Sequence, residues 1–314
     1  TGTTVFNDMY WHWEATAKAV CDAGIRGLIS AVFIDMFHED NGNRQIEENL
    51  RLFELSPRYR PNVTFTLGPH ALYTVSRKSL EWIRDFSEKH ETLIHMHLSE
   101  TGDEVHFCQD RYGMRPGEFL DSIGLLSPRY IGCHGVVLAE PDGPALKKRG
   151  AGLVHMPVSN LKLAVDTFFP YALMDRWQIP FCFGTDGCAS NNHLDLFETM
   201  KFASLLAKFS QHEPTAMNAA ETFRRATAGA ANILGLGDWT IAVGNSPDII
   251  LIDLTMPEMV PNFDLCSNLV YAGSGHIVDT VIAMGQVVME NRVVPGEEYV
   301  LQKAAETARS LIER

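Results

Sequence analysis

No Cys-x-x-Cys pair occurs in this chain. The six cysteines, Cys21, Cys108, Cys133, Cys182, Cys188 and Cys266, are scattered, which gives neither a zinc knuckle nor a disulfide framework and points to a reducing compartment. Positive charge is also scarce, since 26 Lys and Arg against 39 Asp and Glu leave a formal net charge of -13. A surface of that sign opposes phosphate backbones and anionic lipid, so no nucleic-acid partner is expected. No apolar run is long enough to span a bilayer, and the amino terminus lacks a charged-then-apolar leader pattern. A cytoplasmic protein with no membrane partner is the expectation. The 24 glycines and 15 prolines are too few to imply disorder in 314 residues, a length that suits an α/β barrel with a small appendage.

Short apolar, β-branched runs recur with helical patterns between them: Thr3 to Asp8, Gly27 to Ile34, Val63 to Leu67, Leu93 to Leu98, Tyr130 to Cys133, Gly152 to Met156 and Pro180 to Phe183. Repeated βα units on a parallel sheet have this signature. Leu80, Ile83 and Phe86 fall on one face of a helix over Ser79 to His90, and Leu194, Phe197, Met200 and Leu205 form a second stripe. Gly235 is placed to cap a helix that includes Ala219 to Leu234. Seven barrel-type strands are visible where the closed architecture uses eight, and the chain opens directly on a strand, so the first strand of a (β/α)8 TIM-like barrel is expected before residue 1. Past Gly237 the pattern changes to alternating strands at Ile249 to Leu254, Ile277 to Ala283 and Val287 to Val294, divided by turn residues such as Gly285-Gln286. The expected division is a barrel over 1–237 and a β-sandwich remnant over 238–314. Its last stretch, Glu297 to Arg314, reads as a helix packed on the barrel or appendage through Val300, Ala304, Ala308 and Leu311.

Barrel enzymes carry their working groups at the carboxyl ends of the strands. One strand ends in His95-Met96-His97-Leu98-Ser99-Glu100, and alternation sends both histidines to one face with Glu100 just beyond. They could bind metal or be hydrogen-bonded within a packed interior. His134 ends the next strand, where a lone histidine is more often structural. Gly184-Thr185-Asp186-Gly187 turns an acid over the mouth, or forms an Asx-type turn into the following helix. Strands ending in His, His and Asp together suggest an ion that activates water, with a carboxylate to move protons. Gly68-Pro69-His70 offers no lysine to bridge two ions, which favours a single one, and His70 could contact substrate or lie at the surface. Trp11, His12, Trp13 and Glu14 could wall an aromatic pocket or pack a helix start, and Asn160 suits a helix cap.

These residues resemble the amidohydrolase superfamily, and within it the deaminases of S-adenosylhomocysteine and methylthioadenosine, relatives of the triazine chlorohydrolases. The similarity covers nearly the whole chain and is carried by Gly2-Thr3-Thr4 with Asp8-Met9-Tyr10, Gly68-Pro69-His70, His95 to Thr101, the His134 strand, Ser159 to Leu163, Gly184 to Asn192 and Ser274-Gly275-His276. The resemblance implies that His97 and Asp186 ligate one divalent ion, zinc ahead of iron. It further implies that Glu100 shuttles protons, His134 polarises the attacking water and Asp186 accepts its proton, making Glu100, His134 and Asp186 the catalytic set. His70 is implied to bind substrate, with Trp11 and Asn160 as further substrate-side candidates. Arg44 looks like a position that reaches a bound nucleoside, across a subunit contact if the chain is a homo-oligomer.

The implied reaction is hydrolytic deamination of an adenosine-type purine nucleoside, a small-molecule partner. Displacement of chloride or an amine from a triazine-like ring is the alternative within the family, and a catalytically silent barrel the alternative outside it. One departure stands out. The family's His-x-His on the first strand supplies two further ligands, and His12 has no partner histidine two residues away. Loss of the amino-terminal part of a working enzyme accounts for that better than decay of the site.

Overall fold

The computed structural model describes residues 1–313, and its main sheet holds seven parallel strands in sequential order. They are β1 (Val5–Tyr10), β2 (Arg26–Phe33), β3 (Val63–Pro69), β4 (Ile94–Leu98), β5 (Tyr130–His134), β6 (Gly152–His155) and β7 (Phe181–Phe183). All seven expected runs are therefore strands, shifted by no more than a turn residue or two, and the fold is the expected α/β one. Helices cross between them, among them Arg77–His90 after β3 and Gly102–Tyr112 after β4. Ser76 caps the first through its side chain and Thr101 the second, which ends each preceding loop at a defined residue.

One face of the strands serves an apolar cluster under the helices, and the other face of β5 to β7 serves a second. Ile29, Phe33, Phe65, Leu67, Ile94, Met96, Leu98, Leu153 and Phe181 pack under the helices, in a cluster reinforced by Leu80, Ile83 and Phe86 of the helix Arg77–His90. Ile131, Cys133, Val154, Met156 and Cys182 form a second cluster on the opposite face, inside the curl of the sheet. Full burial of a side chain the size of Ile or Leu contributes about 2 kcal/mol, so both faces of β5 and β6 are held by apolar burial. The same alternation places His95 and His97 on the inner face of β4, with His97 in register with Cys133 and Leu98 with His134.

Past the barrel, β8 (Ile249–Ile252), β9 (Val278–Ala283) and β10 (Gln286–Met289) form an antiparallel sheet in the order β10-β9-β8. The hairpin between β9 and β10 turns at Met284 and Gly285, both with positive φ, so Gln286 begins the strand and is not part of the turn. Arg26 at the start of β2 ties this sheet down by pairing with Asp248 at 3.0 Å.

Three expectations about helices need correction. Leu194 precedes the helix Leu196–Gln211 and Leu205 faces solvent on it; the buried stripe is Phe197, Met200, Ala203 and Ala207. The helix over Ala219 to Leu234 is interrupted by a π turn at Arg225–Gly229, and Gly235, in the left-handed region, follows its end. The last helix, Glu297–Ile312, is exposed at every residue, including Val300, Ala304, Ala308 and Leu311, so among the described residues no face of it is buried on the barrel or the appendage. Its support is local: Gln302 donates to Glu306 and Lys303 pairs with Glu306 along one face. Arg314, the last residue of that expected helix, lies outside the described residues.

Candidate active site

Five of the expected site residues meet at the carboxyl rim of β3, β4, β5 and β7. Three residues there, Ser99, His134 and Asp186, hold left-handed backbone at φ 48, 75 and 61. Each such residue costs on the order of 1 kcal/mol, and the sites that keep the strain turn side chains away from the course a strand would give them.

The imidazoles at this rim share one device. His97 Nδ1 lies 2.7 Å from the backbone carbonyl of His70, an acceptor, so Nδ1 carries the proton and Nε2 is left with its lone pair. His134 Nδ1 donates in the same way to Asn160 Oδ1 at 2.9 Å. His70 Nδ1 lies 2.9 Å from Thr74 Oγ1, whose own proton goes to the Ala71 carbonyl, so His70 also donates from Nδ1 and leaves Nε2 bare. Burial pushes the proton affinity of all three down, His70 to about 4 with the help of its neighbour His97, which keeps them neutral. The His97 ring stands 4.8 Å from that of His70 and stacks on that of His134 at 5.4 Å, centroid to centroid.

Two carboxylates face these rings under opposite influences. Glu100 Oε2 is 3.8 Å from His134 Nε2, and burial pushes its carboxyl above the usual range. Burial acts on Asp186 in the same sense, but it is outweighed by the Ser159 and Ser190 hydroxyls and the Gly187 amide, which hold the carboxyl below its usual value. Ser159 Oγ donates to Asp186 Oδ2 at 2.6 Å and Gly187 N to Oδ1 at 2.7 Å. The charge of Asp186 acts on His97, His134 and Glu100 alike, so the four side chains share one electrostatic environment. A pair of carboxyls pushed apart in this way suits one group to give a proton and the other to take one.

Asn160 is not a helix cap. It lies within the helix Pro157–Lys162, beside Ser159, and its carbonyl oxygen orients His134. Arg44 sits on the exposed face of the helix Glu39–Leu55, hydrogen-bonded to Asn41. Trp11, 62% exposed, lines a cavity of about 460 Å³ together with His12, Trp13 and Glu14, and with Tyr10, Gln45 and Arg51. Trp13 belongs to the core as well, its indole N–H donating to the Ile29 carbonyl at 2.8 Å.

Sequence reasoning assigned no role to Tyr10, Ser159 or Glu104. Tyr10 borders the cavity and feels Asp186 and Glu100, which help burial to raise its pKa. Its place at the end of β1 was the available signal. Glu104 is fully buried, which pushes it up to about 7, and its spacing from Thr101 is that of a capping box, although its carboxylate accepts from Ser99 N and Glu100 N and not from Thr101 N. Among the described residues, no group of three or more His, Cys, Asp or Glu side chains is assembled to hold a metal ion.

The description "Amidohydrolase family" matches residues 1–288. The chain belongs to the amidohydrolase family. It is 44% identical over 315 residues to a protein named 5'-deoxyadenosine deaminase from Methanoregula boonei, covering 100% of this chain and 71% of that one. A protein named 5-methylthioadenosine/S-adenosylhomocysteine deaminase 1 from Archaeoglobus fulgidus is 40% identical, with 99% of this chain and 74% of that one covered. Among solved structures, an adenosine deaminase from Xanthomonas campestris with bound zinc superposes with a TM-score of 0.91 at 34% identity, over 99% of this chain and 72% of that one. An atrazine chlorohydrolase from Arthrobacter aurescens complexed with zinc gives 0.88 at 23% identity, over 97% of this chain and 73% of that one, a likeness of fold alone. No helix among the described residues is long and apolar enough to cross a membrane.

Proposed function

We propose that this site deaminates an adenosine-type nucleoside by hydrolysis, giving the inosine analogue and ammonia. The observation that carries the reading is the pairing of a raised Glu100 with a lowered Asp186 around the bare Nε2 of His134, in a chain 44% identical to a relative named for this reaction. The substrate class follows the relatives' names: 5′-deoxyadenosine, methylthioadenosine or S-adenosylhomocysteine. The triazine likeness supports the fold and adds nothing to the chemistry.

A divalent ion fits the donors present, and zinc is the ion we propose. His97 offers an imidazole nitrogen whose tautomer is fixed by the His70 carbonyl, and Asp186 offers an ionised oxygen, the donor types that zinc takes. They make part of a donor set, with fewer than the three protein ligands of a typical catalytic zinc. When bound, the ion makes water acidic enough to attack at neutral pH.

The chain's own residues do the rest. His134 Nε2 accepts a hydrogen bond from the attacking water and turns its lone pair toward C6 of the purine. Asp186 takes the first proton from that water while Glu100, protonated, gives its proton to N1. The adduct at C6 then carries a hydroxyl and an amino group. Asp186 returns its proton to the amino group, which leaves as ammonia, and Glu100 takes the hydroxyl proton as the C6 carbonyl forms. Both carboxyls end as they began. His70 Nε2 is an acceptor for a substrate hydroxyl.

Ammonia release from a panel of 5′-substituted adenosines and of substituted s-triazines, after loading with zinc, tests the substrate class; release from triazines alone would overturn it. Glu100→Gln should lower turnover by about 100-fold or more with metal content unchanged, and a variant that keeps turnover removes Glu100 from the mechanism. His97→Ala should lower zinc retention by about tenfold or more, read by elemental analysis.

A further inference from the structure

Glu104 is a buried acid that the reaction does not touch. Its carboxylate spans two consecutive amides, Oε1 accepting from Ser99 N at 2.9 Å and Oε2 from Glu100 N at 3.0 Å. Among the described residues no cation pairs with it. An unpaired carboxyl fully withdrawn from water is costly, and helix capping does not account for it. The helix Gly102–Tyr112 is already capped by Thr101, whose hydroxyl accepts from Glu104 N at 3.3 Å. In a capping box the returning carboxylate takes the cap residue's own amide. Glu104 reaches past Thr101 instead, to the loop that carries Glu100.

That loop is held from both sides. Its carbonyls are taken by the chain beyond β5, with Gly135 N donating to Leu98 O at 2.9 Å and Val137 N to Ser99 O at 2.8 Å. Its amides are taken by Glu104. Between them Ser99 sits at φ 48, a conformation an unrestrained serine would leave, and its hydroxyl is buried without a partner. If the loop relaxes, the Glu100 backbone rotates and its carboxyl no longer stands 3.8 Å from His134 Nε2.

We propose that Glu104 is the positioning residue for Glu100, clamping the two amides that set where the proton-carrying carboxyl lies. The inference rests on the reading of Glu100 as the proton shuttle. Its test compares Glu104→Gln, Glu104→Asp and Thr101→Ala in the whole zinc-loaded chain, by kinetics and by amide hydrogen exchange. Gln presents an NH2 where an acceptor is required, and Asp is one methylene too short to span both amides. In each, the Ser99 and Glu100 amides should exchange about tenfold faster and kcat should fall about 10- to 100-fold, with KM within about threefold and zinc content unchanged. Thr101→Ala weakens the same helix cap but leaves the clamp, so it should lower Tm while keeping the protection of both amides and kcat within about twofold. Glu104 variants with wild-type kcat, or Thr101→Ala losing kcat in step with Tm, would overturn the proposal. Exchange needs no substrate. A wild-type protein that releases no ammonia would therefore sink the functional reading and leave the exchange result to decide whether Glu104 fixes the loop. If Glu104→Gln does not fold, the Asp variant decides it.

Discussion

The two halves of the barrel interior differ in how much polarity they bury. On the β2 to β4 side the inner faces carry Ser30, Thr66, His95 and His97 beside the apolar Leu28 and Val32; on the β5 to β7 side they carry only Ile131, Cys133, Val154, Met156 and Cys182 among their large side chains. The polar half is under-satisfied, since Thr66 Oγ1 and His95 Nδ1 are buried without protein partners, and burial drives the His95 proton affinity down to about 3. The apolar half contains two thiols, but burial pushes Cys182 up to about 12 and Cys133 well above its ordinary value, so neither is a nucleophile at neutral pH. One wall therefore carries lone pairs and the other excludes water. Gly68 sharpens the division on the polar side. A Cβ there would meet Ser30 Oγ at 2.7 Å, so β3 passes close over β2 just below His70.

The contrast can be broken most severely by placing charge in the apolar wall. Val154→Asp would bury a carboxylate among Cys133, Met156 and Cys182 with no partner, and should cost about 3–5 kcal/mol in urea unfolding. A loss below about 1 kcal/mol would mean that this wall is wet. A smaller effect tests the outer face of the same strand. His155 donates to the Tyr171 hydroxyl at 2.8 Å, because that hydroxyl's proton goes to the Ala203 carbonyl, and burial pushes its pKa to about 3. A histidine whose folded value lies below its unfolded value of 6.5 contributes stability above pH 6.5, and that stability is lost as pH falls toward 3. Tm measured against pH should decline over this window, and His155→Phe, which keeps the stack on Phe169, should flatten part of the decline. The mildest change sharpens the comparison from the polar side. Thr66→Val removes a hydroxyl with no partner, so stability should stay level or rise by about 1 kcal/mol.

How far this was legible in the sequence follows the same division. Strands β5 to β7 read as short, nearly continuous apolar runs and β3 and β4 as alternating ones, and each was found within a few residues. His97, Glu100, His134 and Asp186 stood out in the sequence because they fall where strands end, the rim at which barrel enzymes carry their chemistry. Asn160 and Ser159 were not, since a residue that steadies another is set by contacts across 26 or 27 positions of chain that no local pattern encodes. Glu104 left a trace in the Thr101-x-x-Glu104 spacing, which by itself describes a helix start and not a clamp. The helix Glu297–Ile312 misled in the opposite direction. Its apolar spacing is genuine, but spacing says only that a face exists, not that anything covers it.

The six-residue helix Pro157–Lys162 carries Ser159 and Asn160 side by side, one fastened to Asp186 and the other to His134. The carboxylate and the imidazole that we propose as base and water-orienting ring thus hang from a single bracket. A substitution that tilts this helix would displace both partners together and keep their mutual spacing, so tuning of the reaction by distant changes has a ready lever here. Altering one partner without the other requires a change in Ser159 or Asn160 itself.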